Sequence, residues 1–175
     1  MLKTIAIVVV LLIAGVLIFA ATKPDSFNVR RATTIKAPPD KIYPYINDLQ
    51  QWRAWSPYEN KDPAMKRSFS GPGAGTGAAY AWDGNNQVGQ GRMEIASTIA
   101  PTLVAIQLDF IKPFEGHNMA EFKLEPQGDA TQVTWLMTGP APFITKLMSV
   151  FINMDKMIGT DFEVGLANLK AVAEK

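Results

Sequence analysis

Hydrophobic and polar residues follow three successive patterns along this chain. From Ile5 to Ala21 no side chain is polar. From Phe27 to Met137 apolar residues largely alternate with polar ones, the period of β-strands that keep one face in water. From Phe143 to Val172 apolar residues recur every three or four positions. That last period indicates an amphipathic helix.

The first pattern has three interpretations. As a helix, the apolar segment would extend roughly 26 Å, close to the ~30 Å hydrocarbon core of a bilayer. We favour an uncleaved membrane anchor over residues 1–22, because a secretory signal usually has an apolar region of only ~7–15 residues. A cleaved signal is the main alternative, and a buried core helix is the third.

The charges beside the apolar segment do not fix its orientation. Lys3 precedes it, whereas Lys23, Arg30 and Arg31 follow it. The numbers of positive charges that the positive-inside rule compares are therefore nearly equal on the two sides. By analogy with typical N-terminal anchors, we expect a single-pass membrane protein whose soluble domain lies on the extracytoplasmic side.

The alternating region predicts a first strand, two short helices and then about six further strands. A tether over residues 23–26 precedes the first strand, which ends at Ile35. Asp40 is positioned to cap a helix from Lys41 to Asn47, and a second short helix follows around Leu49 to Ala54. A loop is expected from Asn60 to Ala64.

The order of these elements predicts an α+β fold over residues 27–175. The strand from Val104 to Phe110 shows the clearest alternation. After the last strand, Phe143 to Val172 predicts one long helix, with a break at Gly159. Antiparallel strands followed by one long helix describe a curved sheet that wraps around that helix.

A strongly concave sheet can leave a cavity between itself and the helix. Large and adaptable apolar side chains share the face predicted to meet the helix, and they suit a pocket for varied hydrophobic ligands. They would serve equally well as an ordinary core. The predicted cavity set is Tyr80, Trp82, Met93, Ile95, Ile106, Leu108, Phe110, Phe122, Trp135 and Met137 on strands, with Met148, Met154 and Ile158 on the helix.

Few polar residues fall on the same face. Arg31 and Arg67 share the parity of apolar neighbours, so each either meets an anionic partner, from the protein or from a ligand, or extends to solvent. Trp52 and Trp55 lie three apart on the second short helix and either anchor it or line the entrance. His117 falls on the polar parity and is expected to be exposed.

Composition narrows the chemistry further. The absence of cysteine excludes thiol catalysis and disulfides, and a single histidine leaves almost no room for zinc. We therefore expect no metal and no cofactor. Of the 17 basic residues only Lys3 precedes the body, and the other 16 balance 16 acidic ones. This balance argues against a nucleic-acid binder.

Four segments of the chain form recognisable motifs. They are Arg31-Ala-Thr-Thr-Ile-Lys-Ala-Pro-Pro-Asp-Lys-Ile-Tyr43, Trp52-Arg-Ala-Trp-Ser-Pro57, Phe69-Ser-Gly-Pro-Gly73 and Asp161-Phe-Glu-Val-Gly-Leu-Ala-Asn-Leu169. Together they resemble the SRPBCC superfamily and, more narrowly, its polyketide cyclase/dehydrase branch, which shares the helix-grip fold of START domains and birch-pollen-type proteins. The resemblance covers about residues 27–173 and implies a cavity for a hydrophobic ligand.

Three functions are compatible with this sequence. The first is a membrane-anchored, non-enzymatic domain, a monomer or weak oligomer, that binds a small hydrophobic or lipid-like molecule. The second is a cyclase or dehydratase, which requires at least two polar side chains to meet in the cavity. The third is a stress-response or protein-interaction module with a filled core.

Overall fold

The computed structural model describes all residues from 1 to 175. The helices are α1 (Leu2–Ala21), α2 (Pro39–Asn47), a 3-10 turn (Gln51–Ala54), α3 (Pro57–Lys61), α4 (Phe143–Phe151) and α5 (Met154–Ala173). The strands are β1 (Ser26–Ile35), β2 (Lys66–Ser70), β3 (Ala79–Asp83), β4 (Gln90–Ile99), β5 (Leu103–Lys112), β6 (Gly116–Gln127) and β7 (Ala130–Pro140).

The seven strands form one open antiparallel sheet in the order β1-β7-β6-β5-β4-β3-β2. Consecutive strands from β2 to β7 pair as hairpins, and β1 closes the series by pairing with β7. A register shift between Ile95 and Ser97 adds a bulge to β4, which increases local twist and bending. The predicted α+β helix-grip architecture is confirmed, with an apolar helix before it.

The alternation along the strands separates a core face from a polar face. In β5, Val104 and Ile106 are buried while Gln107 is exposed, and in β6 Phe122 and Leu124 are buried. The buried side chains of α5 meet this inner face; they are Phe162, Leu166, Leu169 and Ala173. Apolar burial between sheet and helix therefore supplies the main stabilisation of the domain.

The C-terminal helix breaks at a different place from the one predicted. The structure ends α4 at Phe151 and begins α5 at Met154, where the side chain of Asn153 accepts a hydrogen bond from the backbone N–H of Lys156. This is an ordinary N-cap. Gly159 lies within α5 instead of breaking it.

Two details of the short helices also differ from the prediction. Asp40 lies in the first turn of α2 and makes no capping bond, because the helix begins at Pro39, two residues before the predicted start at Lys41. The loop predicted to start at Asn60 is partly helical, since α3 runs from Pro57 to Lys61. Proline suits the first position of a helix, where its missing N–H breaks no bond.

The N-terminal helix α1 is long and apolar enough to cross a membrane, and a signal sequence near the N-terminus has the same properties. Its side chains are almost all exposed, and Ala20 is its one buried residue. The interpretation of this segment as a buried core helix is therefore wrong. The ammonium group of Lys23, the first charge after the segment, lies 4.8 Å from the centre of the Phe19 ring.

We expect truncations along α5 to separate its core face from its exposed face. Phe162→Ala and Leu166→Ala should each lower the free energy of unfolding by roughly 2–5 kcal/mol, because each leaves a cavity against the sheet. Val164→Ala, on the exposed side of the same helix, should stay within about 0.5 kcal/mol. Unfolding of the detergent-solubilised chain, followed by circular dichroism, measures the three values. Equal losses at Val164 and Leu166 would contradict this packing.

Candidate functional site

The inner face of the sheet is completely filled at one end. Five aromatic rings pack there, with centroid separations from 3.9 to 6.2 Å. The closest pair is Trp135 and Phe162, which stack nearly parallel at 3.9 Å and so join β7 to α5. We refer to the five rings as the aromatic block; they are Trp52, Trp55, Phe122, Trp135 and Phe162.

Trp52 and Trp55 belong to this block and do not line an entrance. Both are buried, at 6% and 1% exposure. The Nε1 of Trp52 donates to the carbonyl oxygen of Ile46 at 3.0 Å, and the Nε1 of Trp55 donates to that of Tyr45 at 2.8 Å. These carbonyls belong to the last turn of α2, where they have no partner within the helix. The two indoles therefore anchor the short helices, which corrects the predicted entrance role.

The other end of the inner face is only half covered. There Trp82, Leu108 and Phe110 are half-buried, although their strand parity points them toward the helix side. The Trp82 ring lies across Gly91, where an added Cβ would fall 2.4 Å from it, and its edge meets Phe110 with centroids 5.9 Å apart. These side chains form a partly exposed apolar surface.

The first turns of α5 reach the same end. At the far end of the helix, Lys170 donates to the carbonyl oxygen of Thr34, and the backbone N–H of Lys36 donates to Glu174. The start of α5 therefore lies toward the opposite end of the sheet. We define the open end as five half-buried residues, namely Trp82, Leu108, Phe110, Met154 and Ile158.

The remaining predicted cavity residues divide between core and surface. Met148, on α4, is half-buried. Seven others are buried within the sheet side of the core: Tyr80, Met93, Ile95, Ile106, Phe122, Trp135 and Met137. Trp135 has a feature that the sequence pattern did not indicate, since its buried Nε1 has no hydrogen-bond partner. An unsatisfied buried donor costs roughly 1–3 kcal/mol.

Arg31 has the predicted inward parity, and its partners are protein carboxylates. Its guanidinium lies across α5, with Nη2 3.0 Å from Asp155 and Nε 2.7 Å from Glu163. The hydrogen bond that Arg31 donates to Asp155, followed by the one to Glu163, raises the pKa of Arg31. The hydrogen bond from Arg31 lowers the pKa of Asp155. Gly159 makes the crossing feasible, because a Cβ there would lie only 2.0 Å from Nη2.

Arg67 is also neutralised by the protein. Its Nε and Nη2 donate to the same carboxylate oxygen of Glu59, at 2.9 and 2.7 Å, and its other donors meet backbone carbonyls. The hydroxyl of Tyr80 donates to the second oxygen of Glu59 at 3.1 Å. Burial, followed by the charge of Glu59, raises the pKa of Tyr80. The result is a saturated polar cluster of Glu59, Arg67 and Tyr80.

Two of the depressions on the molecular surface have well-defined linings. One, of about 210 Å³, lies beside the glycine-rich loop after β2, with Leu49 and Phe69 in its wall. The other, of about 470 Å³, is lined by Lys23 and by residues 149–154, so it lies where the tether meets the α4–α5 junction. Only the second includes a predicted cavity residue, Met154.

His117 lies on the polar face of the sheet, opposite the inner face. Its side chain is exposed, and its Nδ1 is 2.7 Å from Asp109 on the polar side of the sheet. The hydrogen bond to Asp109 raises the pKa of the imidazole. No group of three or more histidine or carboxylate side chains is arranged to hold a metal ion.

The chain matches a known protein family over most of its length. The family model described as polyketide cyclase / dehydrase and lipid transport matches residues 26–174. The chain therefore belongs to this family, a branch of the SRPBCC superfamily. No curated protein matches the chain.

Solved structures of low sequence identity share the fold. Protein CV1439 from Chromobacterium violaceum is 13% identical with a TM-score of 0.60, and the match covers 87% of this chain and 99% of that one. Aha1 from Colwellia psychrerythraea is 19% identical, with a TM-score of 0.61 over 85% and 96% of the two chains. Ara h 8.0201 is 11% identical, with a TM-score of 0.57 over 85% and 97%.

Because Arg31 crosses α5 at Gly159, we expect alanine at this position to lower stability, the opposite of its usual effect in a helix. Alanine in place of a helical glycine usually stabilises by about 0.5–1 kcal/mol. Here the added Cβ would displace the guanidinium from Asp155 and Glu163, so Gly159→Ala should lower the Tm. With Arg31→Ala already present, the same substitution should raise the Tm. Thermal unfolding of the four chains tests this, and the same sign in both backgrounds would contradict it.

Proposed function

We propose that this protein is a membrane-anchored binding domain for a small hydrophobic or lipid-like molecule, which it holds at the open end. The observation that carries the proposal is the incomplete burial of Trp82, Leu108 and Phe110, which share the inner face of the sheet. Large apolar side chains that gather in one place without being fully covered by the protein are typical of ligand sites. The family to which the chain belongs includes lipid transport in its description.

The polar groups near the inner face favour a ligand without strong negative charge. Arg31 and Arg67 both donate to protein carboxylates, so neither offers an unpaired cation to a ligand. A neutral, largely apolar molecule fits these features.

The helix α1 supports the anchoring part of the proposal. Residues 1–22 would anchor the chain, 23–26 would form the tether, and 27–175 would form the binding domain on the extracytoplasmic side, as a monomer or weak oligomer. Lys23 beside Phe19 is an arrangement suited to the boundary between acyl chains and headgroups, where amphipathic side chains keep their charge in water.

A cyclase or dehydratase is the second candidate, and one observation favours it. Glu59, Arg67 and Tyr80 meet beside the inner face, and such chemistry needs polar groups that converge. However, the Arg67 donors are all directed at protein acceptors, and the Tyr80 hydroxyl donates to Glu59. Binding without catalysis therefore accounts for more of the arrangement.

Photolabelling tests the proposed site. Full-length protein in phosphatidylcholine nanodiscs is irradiated with a neutral hexadecanol that carries a diazirine on its chain, and the labelled peptides are mapped by mass spectrometry. We expect labels in β3 and β5, at or beside Trp82 and Phe110, that excess unlabelled hexadecanol removes. Labels in α1 should resist this competition, because they come from the surrounding lipid.

Matched tryptophan substitutions provide the control. Leu108→Trp should fill the open end and reduce the competed labelling several-fold. Ile99→Trp, at an exposed apolar position at the opposite end of the sheet, should leave it unchanged. If β3 and β5 receive no competed label, or if Leu108→Trp has no effect, the open end is not the ligand site.

A further inference from the structure

The short helix α4 presents its apolar side outward. It has no buried residue, and Phe143, Ile144 and Phe151 are 49%, 52% and 74% exposed. On its polar side the Lys146 side chain is only 11% exposed, and it pairs with Asp25. A helix on a water-facing surface has the reverse arrangement. The apolar side of α4 therefore needs a covering that this chain does not supply.

The position of α4 identifies what is adjacent to it. Ser26 of β1 pairs with Pro140 of β7, and the backbone N–H of Ala141 donates to the carbonyl oxygen of Asp25 at 2.7 Å. These bonds hold the start of α4 beside the tether. The C-terminal half of α1, where Ala20 is buried, packs against α4. One side of α4 thus continues the surface of the candidate membrane span.

Other exposed apolar residues gather at this end of the sheet. The pairing of Phe110 with Gly116 places the β5–β6 turn at the same end as the tether. Exposed Ile111 lies at the end of β5, exposed Phe114 lies in that turn, and exposed Ile152 follows α4 directly. An apolar surface of this kind at one end of a soluble body marks an interaction site.

We propose that α4 is an interfacial helix that lies in the surface of the bilayer beside α1 and holds the domain against the membrane. The proposal rests on the proposed anchoring of α1. The apolar segment of α1 extends roughly 26 Å, no more than the ~30 Å hydrocarbon core, so its last turns lie at hydrocarbon depth. A helix packed against those turns meets acyl chains with its apolar side and headgroups with its polar side.

A lipid surface fits this side of α4 better than a second copy of the chain. Nine residues of helix extend only about 13 Å, whereas a stable protein interface buries roughly 800 Å² on each partner. The open end lies at the same end of the sheet as α4. With α4 in the bilayer surface, the domain would exchange its ligand directly with the bilayer. The depression lined by Lys23 and residues 149–154 lies along that path.

Spin labelling of the full chain tests the depth of α4. The chain contains no cysteine, so single variants carry one nitroxide each: Ile144→Cys, Phe151→Cys, Leu12→Cys in α1, and Val164→Cys on α5 as an exposed apolar control. All four side chains are exposed, so the labels leave the core intact. In phosphatidylcholine vesicles, collision rates with oxygen and with a water-soluble nickel chelate report the depth of each label.

The expected result is a several-fold higher oxygen-to-nickel ratio at Ile144, Phe151 and Leu12 than at Val164. If Leu12 is lipid-exposed while Ile144 and Phe151 match Val164, the anchor stands and the role of α4 is refuted. If Leu12 also matches Val164, the anchoring itself fails and both proposals fall. Dipolar broadening between labels at Phe151 would mean that a second copy covers α4, which also overturns the proposal.

Discussion

The contact between Trp135 and Phe162 determines how the rest of this domain is arranged. The two rings stack nearly parallel, 3.9 Å apart, and the other rings of the aromatic block surround them. Gly165 allows the close approach, because a Cβ there would lie 2.8 Å from the Trp135 ring. Dense packing holds the part of α5 from Phe162 onward against the sheet, whereas the opposite end of the inner face is left with half-covered apolar side chains.

The arginine crossing reinforces the same geometry from the sheet edge. Arg31 reaches from β1 over α5 and bonds Asp155 and Glu163 on either side of Gly159. The helix is thus held by apolar stacking on one side and by charge-assisted hydrogen bonds on the other. Both polar candidates for ligand contact, Arg31 and Arg67, are satisfied within the protein, which favours an apolar ligand over an anionic one.

The open end, α4 and the tether all lie at one end of the sheet, and this coincidence links the two proposals. A hydrophobic ligand is sparingly soluble in water, so a binding site gains from direct access to the phase in which the ligand dissolves. If α4 lies in the bilayer surface, the ligand passes between lipid and open end with little exposure to water. The saturated cluster of Glu59, Arg67 and Tyr80 then serves to position α3 against β2 and β3.

The sequence by itself determined the elements and their faces. Alternation along residues such as Val104 and Ile106 specified the strands and their buried side, because a strand directs successive side chains to opposite faces. It also specified the apolar length of α1, and the motifs around Trp52 and Asp161 indicated the family. These properties depend on local periodicity, which a single segment carries within itself.

Tertiary structure alone decided how those faces meet. Trp52 and Trp55 became core anchors because carbonyls of α2 lay within reach of their indoles, and Gly159 became a crossing point because Arg31, 128 positions earlier in the chain, passes over it. The outward apolar side of α4 has a similar origin, because Lys146 pairs with Asp25 of the tether. Such outcomes depend on distances between residues far apart in sequence, and periodicity within one segment contains no information about those distances.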